Sequence, residues 1–169
     1  MAKSEAVDRE SGTVGIVLCG AERADDVHRL TQLAFAPHAA LDPPSGAVKE
    51  TVERVREDLG AGGGAIAELN GDLVGCLRWL SDGHQMRVRR LAVVPSRQRR
   101  GVGRALMVWA ESEARRRGHE AVFVGVRVAL RGNLAFYRGL GYEVIGEHRH
   151  DGYEQTTWLA LRKRLCARS

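Results

Sequence analysis

The chain has 169 residues, 44% apolar and 28% charged, with a formal net charge of +5. That length suits one domain with its own core, and this composition excludes a disordered, collagenous or disulfide-dense chain. Three scattered cysteines give no zinc or disulfide framework, and no apolar run reaches the length of a bilayer span. The cysteines are expected as reduced thiols in a cytoplasmic protein. The positive charge is mostly arginine, gathered in 87–104 and 115–117. Such a cluster implies an anionic partner without saying which.

Residues 1–12 are polar, lack a signal-peptide core, and are expected as a loose arm ahead of a domain over 13–165. Residues 13–18 are expected as a first strand. A helix over 22–36 would bury Val27, Leu30, Leu33 and Ala34, and Pro37 would end it. After the loop 41–46, Ser45 is expected to cap a second helix over 47–59, with Val48, Val52, Val55 and Leu59 inward. The glycine run 60–64 reads as a flexible connector. Strands over 65–69 and 72–80 are joined by Asn70-Gly71, a strong hairpin signal. A further strand covers 85–94 and a helix 101–117, with Arg115, Arg116 and Arg117 as a solvated basic face and Gly118 closing it. A strand over 121–126 and a short helix over 132–140 follow. The final hairpin starts at 142–145, turns at Asp151-Gly152 and returns through 153–162. Strands and helices in this order, without repeats, predict an α/β fold with a mixed, mainly antiparallel central sheet flanked by helices.

Gln98-Arg99-Arg100-Gly101-Val102-Gly103-Arg104 joins a strand to a helix. Glycine lets the backbone approach a ligand, and the first N–H groups of a helix have no intrahelical partner. A phosphate or pyrophosphate suits such a turn, gaining ~0.3–1 kcal/mol from the helix end. The competing reading is that Gly101 and Gly103 only permit close helix–sheet packing. Asn133 and Tyr137, four residues apart, share a helix face.

These residues resemble two motifs of the GNAT superfamily of N-acetyltransferases. The family's acyl-CoA motif, Gln/Arg-x-x-Gly-x-Gly/Ala, is matched by Gln98 to Gly103. Its second motif is matched by Asn133-Leu134-Ala135-Phe136-Tyr137-Arg138-Gly139-Leu140-Gly141-Tyr142. The resemblance is specific over about 86–142. It implies a GNAT-like fold that transfers an acetyl or acyl group from acetyl-CoA to a primary amine, by direct attack in a ternary complex and without a metal. Gln98, Arg99, Arg100, Gly101, Val102, Gly103 and Arg104 would hold the pyrophosphate and neighbouring phosphate. Leu91, Ala92 and Val93 would pair with the pantetheine arm, and Asn133 would contact CoA. Tyr137 would protonate the leaving thiolate, since a phenol is a comparable acid.

The acceptor side is less legible. Many family members carry a carboxylate on the strand before the motif, and Met86 to Val93 has none. Glu68, Asp82, His84, His148, His150 and Glu154 remain as candidate bases. His150 is taken as the catalytic base and, with Tyr153, as substrate-binding, because the resemblance sets a substrate wall at the final hairpin. Residues 35–48 match the family's variable substrate-facing region. The acceptor is expected to be a small-molecule amine. The alternatives are a protein N-terminal or lysine acetyltransferase, or a non-catalytic acyl-CoA sensor. A nucleic-acid partner is not expected, since no recognition motif accompanies the charge. Neither is a membrane. The resemblance also implies that the chain can pair as a homodimer.

Overall fold

A computed structural model of the protein describes residues 12–166, so the arm expected over 1–12 lies, except for Gly12, outside the described residues. Seven strands form one sheet: β1 (Gly15–Cys19), β2 (Gly63–Leu69), β3 (Asp72–Asp82), β4 (Gln85–Val93), β5 (Ala121–Arg127), β6 (Glu143–His148) and β7 (Trp158–Arg164). Four α-helices accompany them: α1 (Ala24–Phe35), α2 (Val52–Ala61), α3 (Val102–Arg116) and α4 (Arg131–Gly139). The strand order is β1-β2-β3-β4-β5-β7-β6, antiparallel except for the parallel β4–β5 pair. This is the mixed, mainly antiparallel α/β architecture expected.

Period-two alternation splits the core between the two sheet faces. Cys76, Ile66 and Ala92 pack under α1 and α2 with Val27, Leu30, Val55 and Leu59. Leu77, Trp79, Met86 and Val122 pack under α3 with Leu106, Met107 and Ala110. In α1, Thr31 takes the inward place expected for Leu33, because 27, 30, 31 and 34 share one helical stripe and 33 falls off it. The buried Thr31 hydroxyl is satisfied by the Val27 carbonyl at 2.7 Å.

Other expectations are corrected too. The helix over 47–59 is two pieces. Ser45 does cap, but it caps a 3-10 turn, Gly46–Lys49, while α2 starts at Val52 behind Thr51, whose hydroxyl accepts from Arg54 N–H. Between them Glu50 is extended and turned inward, where Arg78 and Arg90 bind its carboxylate. The glycine run is no connector. Gly60 lies in α2, Gly62 caps it, and Gly63 and Gly64 are buried in β2. A Cβ on Gly62 would strike the Trp79 carbonyl, one on Gly63 the Trp79 ring, and one on Gly64 the Leu59 side chain. Close packing therefore requires these glycines. Finally, the last hairpin returns at Trp158, not at 153, leaving 149–157 as a loop around the turn at Gly152 (φ +83°).

The Asn70-Gly71 turn behaves as expected, with both residues at positive φ (53° and 85°) between β2 and β3. Arg116 and Arg117 are more than a solvated face, while Arg115 is exposed. Arg116 and Arg117 both bind Glu113, and Arg117 lies over the Trp79 ring at 5.3 Å. The pair holds the Glu113 carboxyl well below the usual range, at about 2.

Candidate active site

The feature that makes a cleft is a parting of strands. β4 and β5 pair only over Gln85–Arg87 and Ala121–Phe123. Beyond that, β5 stays with β7 to Arg127 and β4 stays with β3 to Val93, so their facing backbones separate. Unpaired strand edges hold N–H and C=O groups that need partners, which an extended ligand can supply. The split is helped by a bulge. Arg78 pairs with Arg89 while Cys76 pairs with Ala92, so β4 carries an extra residue, and Arg90 there has φ +54°. Leu91, Ala92 and Val93, the expected pantetheine strand, follow this bulge directly.

The turn 98–101 stands at the open end of β4. The Gln98 amide donates to the Val93 carbonyl at 3.1 Å, fastening turn to strand. Arg99 and Gly101 both have positive φ, at 60° and 82°. Alternation of backbone hand turns successive N–H groups into an anion-binding hollow. Gly101 is the N-cap of α3, and no side chain caps this end, so the first N–H groups of a fifteen-residue helix face outward without a side-chain acceptor. Arg99, Arg100 and Arg104 are exposed beside it, while Arg97 lies 3.8 Å from Asp72.

The packing explanation of these glycines fails. A Cβ on Gly101 would meet nothing, and one on Gly103 would make ordinary contacts with Phe136 and Val93 at 3.5 and 3.7 Å. The glycine that lets α3 settle on the sheet is Gly75, where a Cβ would lie 2.7 Å from the Ala92 carbonyl and 3.2 Å from Leu106 and Val102. Gly103 also marks where the start of α3, the end of β4 and α4 meet.

From α4, Tyr137 is buried (8% exposed), edge-on to Phe136 and Tyr142, and Asn133 is exposed. The Tyr137 hydroxyl makes no hydrogen bond among the described residues, and burial pushes its pKa far above the ordinary phenol value. It is therefore a proton-bearing donor across the physiological range. Tyr142 is engaged elsewhere, donating to Glu111, which also accepts from Lys163 at 2.8 Å.

The opposite face of the split is closed by the segment between α1 and α2. Its Gly46 lies against the Arg90 guanidinium, and its Pro43 carbonyl accepts from Arg127 Nη2 at 2.6 Å. Residues 43–46 thus touch both arms of the parting strands. The loop 149–157 joins them, with the Tyr153 hydroxyl donating to Asp42. His150 pairs with the Thr157 hydroxyl through Nδ1 at 2.5 Å and through its own N–H at 2.9 Å. Desolvation first, then the charge of Arg127, lowers the His150 pKa, which favours the neutral imidazole a base requires.

The structure thus brings 91–93, 98–104, Asn133 and Tyr137 to one side of the parted strands and His150 and Tyr153 to the other. Of the remaining candidate bases, Glu68, Asp82 and His84 lie away from both sides, whereas His148 and Glu154 belong to the last hairpin beside His150 and Tyr153. Asp82 and His84 sit at the paired end of β4, where His84 accepts from Glu120 N–H. Glu68 faces β1, far along the sheet. His148 is stacked on Trp158 at 4.2 Å, and Glu154 is exposed. Sequence reading missed His38, Asp42, Arg90 and Arg127 as site residues. Their only signal was that the first two fall in the substrate-facing segment 35–48.

The sequence matches the Acetyltransferase (GNAT) family over residues 25–142. The chain belongs to that family of acetyltransferases. Among its relatives is the Danio rerio protein named Probable N-acetyltransferase 14, 34% identical over an alignment of 105 positions that covers 56% of this chain and 37% of that protein. The chain thus spans little more than a third of that relative's length. Its fold is that of the ribosomal-protein-S18-alanine N-acetyltransferase from Escherichia coli, with TM-score 0.76, 18% identity and coverage of 93% and 97% of the two chains. The PaiA N-acetyltransferase from Thermoplasma acidophilum, solved in complex with coenzyme A, superposes with TM-score 0.73, 15% identity and coverage of 90% and 99%. Among the described residues, no helix is long and apolar enough to cross a membrane and no group of side chains is set to hold a metal.

Proposed function

We propose that the protein transfers an acetyl group from acetyl-CoA to the amine of a small molecule, by direct attack with both substrates bound. The observation that carries this reading is the parting of β4 from β5 beside an uncapped α3 N-terminus and a buried, proton-bearing Tyr137. The turn 98–104 binds the pyrophosphate through backbone N–H groups, with Arg99, Arg100 and Arg104 lending positive charge beside the remaining phosphate. Asn133 contacts the CoA arm from α4. The coenzyme A in the Thermoplasma relative is consistent with this use of the fold.

Leu91, Ala92 and Val93 offer unpaired backbone to the pantetheine amides. An N–H of this segment stabilises the negative oxygen that forms as the thioester carbonyl is attacked. His150 accepts a proton from the attacking amine. As nitrogen bonds to the carbonyl carbon, the carbon–sulfur bond breaks, and Tyr137 gives its proton to the thiolate. The amine proton returns the enzyme to its starting state through solvent, leaving an amide and free CoA thiol. No enzyme nucleophile is needed, and Cys19 and Cys76 are buried with raised pKa values, unsuited to such a role.

The test is thermal unfolding with and without acetyl-CoA, followed by thiol release in the presence of amines. Ligand at ~100 times Kd adds ~2.7 kcal/mol, a midpoint rise of roughly 5–11 °C for a chain of this size. An unchanged midpoint would overturn the donor-site assignment.

A further inference from the structure

We propose that Arg127 and His38 form an anion-recognition site beside the reacting centre, so that the amine acetylated by this protein carries a carboxylate. The inference rests on the acetyltransferase reading and narrows its acceptor.

The argument begins with charge that has no counter-ion. Four partly or fully buried arginines bear on the α1–α2 face of the sheet, and Arg89 and Arg90 are paired with Asp58 and Glu50. Arg78, 1% exposed, binds Glu50 at 2.5 Å and Asp58 at 3.0 Å, so its charge is met within the protein. Arg127 is different. Its Nε–H is buried without a partner, as is that of Arg78, but among the described residues no carboxylate lies within 4.0 Å of Arg127, whose Nη2 is held by the Pro43 carbonyl. A partly buried guanidinium with an unmet N–H is costly unless an anion completes it. The Nε and Nη groups of one guanidinium edge match the two oxygens of a carboxylate.

His38 supplies the second observation. Its Nδ1 is buried and unpartnered, and Arg127 is near enough to lower its pKa, after desolvation. Arg127 acts likewise on His150 and on the Tyr153 hydroxyl. The unmet groups of the α1–α2 segment and of β5 are therefore near enough to interact, with Arg127 at the end of β5 where it has parted from β4. The acidic groups nearby do not neutralise it. Asp42 accepts from Tyr153, Asp151 sits on the exposed turn, and Glu50 is taken up by Arg78 and Arg90. A polycationic amine would be repelled here, whereas an amine with a carboxylate would be anchored by it and have its nitrogen presented to the cleft.

The test compares amines that differ only in carrying a carboxylate or the matching carboxamide. Thiol release from acetyl-CoA is followed with wild type, Arg127→Gln and Arg127→Lys. Dividing the wild-type preference by that of the variant cancels differences in amine basicity. Wild type should favour the carboxylate by ~10-fold or more in kcat/KM relative to Arg127→Gln, carried by KM, and Arg127→Lys should retain part of it. A merely structural loss lowers both members of a pair alike, so an unchanged ratio in Arg127→Gln overturns the proposal. Preferred turnover of polyamines by wild type overturns it as well. If acetyl-CoA binds but no amine turns over, N-acetylated carboxylic acids are titrated in the presence of CoA. Binding ~10-fold weaker to Arg127→Gln supports the site, and equal or absent binding overturns it. Failure of acetyl-CoA to bind wild type would remove the acetyltransferase reading and this one with it.

Discussion

The two sides of the parted strands are built from different materials. The proposed donor side uses short local runs, a strand end, the turn with the helix it starts and one short helix, and relies on backbone N–H groups, the arginines of the turn, Asn133 and a single hydroxyl. The acceptor side uses side chains from the α1–α2 segment, the end of β5 and the last loop, drawn together from Asp42 to Tyr153. A site made of backbone is specified by local conformation and leaves a motif. A site made of distant side chains leaves none, and it can change its ligand without disturbing the fold.

The comparison can be broken most forcefully at Gly101. Gly101→Asp places a side chain at φ +82° and a negative charge where a pyrophosphate is expected. Acetyl-CoA affinity should fall ~10³-fold by calorimetry, from backbone strain plus repulsion. Retained affinity would remove the turn from the donor site. On the acceptor side the largest effect should be on stability. Glu50→Gln leaves buried Arg78 and Arg90 short of a counter-ion. It should cost about 3 kcal/mol and lower the unfolding midpoint by roughly 10 °C. A midpoint within a degree of wild type would show that the network is not structural.

Tyr137→Phe should reduce kcat ~10²-fold while acetyl-CoA affinity stays near wild type, because it removes only a proton donor. Since burial keeps this phenol protonated, no loss of rate assignable to Tyr137 should appear as pH rises to 10. Unaltered turnover in the variant would take the residue out of the chemistry. Arg127→Gln is expected to act ~10-fold and only on the carboxylate preference, which separates acceptor recognition from the donor effects above. The smallest effect serves as a reference away from both sides. Glu113, held at about 2 against an ordinary 4.5, adds stability above pH 4.5 that is lost as pH falls through 2. Solvent around Arg116 and Arg117 screens this to about 1 kcal/mol, so Glu113→Gln should unfold a few degrees early at pH 7. That gap should close toward pH 2. A gap independent of pH would mean that packing, not charge, is responsible.

By itself, the sequence determined the order of elements, the hairpin at Asn70-Gly71, the Gly-rich turn before α3 and the family those motifs mark. Each follows from local rules: apolar periodicity, residues that tolerate positive φ, and helix ends that want anions. Only the tertiary structure decided the rest. It showed that Gly63 and Gly64 are strand residues pressed against Trp79 and Leu59, and that the helix expected from 47 breaks so that Glu50 can reach two arginines. Likewise, it set Arg127 near enough to influence both His38 and His150, 89 and 23 residues away in the chain. Steric fit across a sheet and the pairing of buried charge depend on what lies opposite in space, which no local pattern of the chain records.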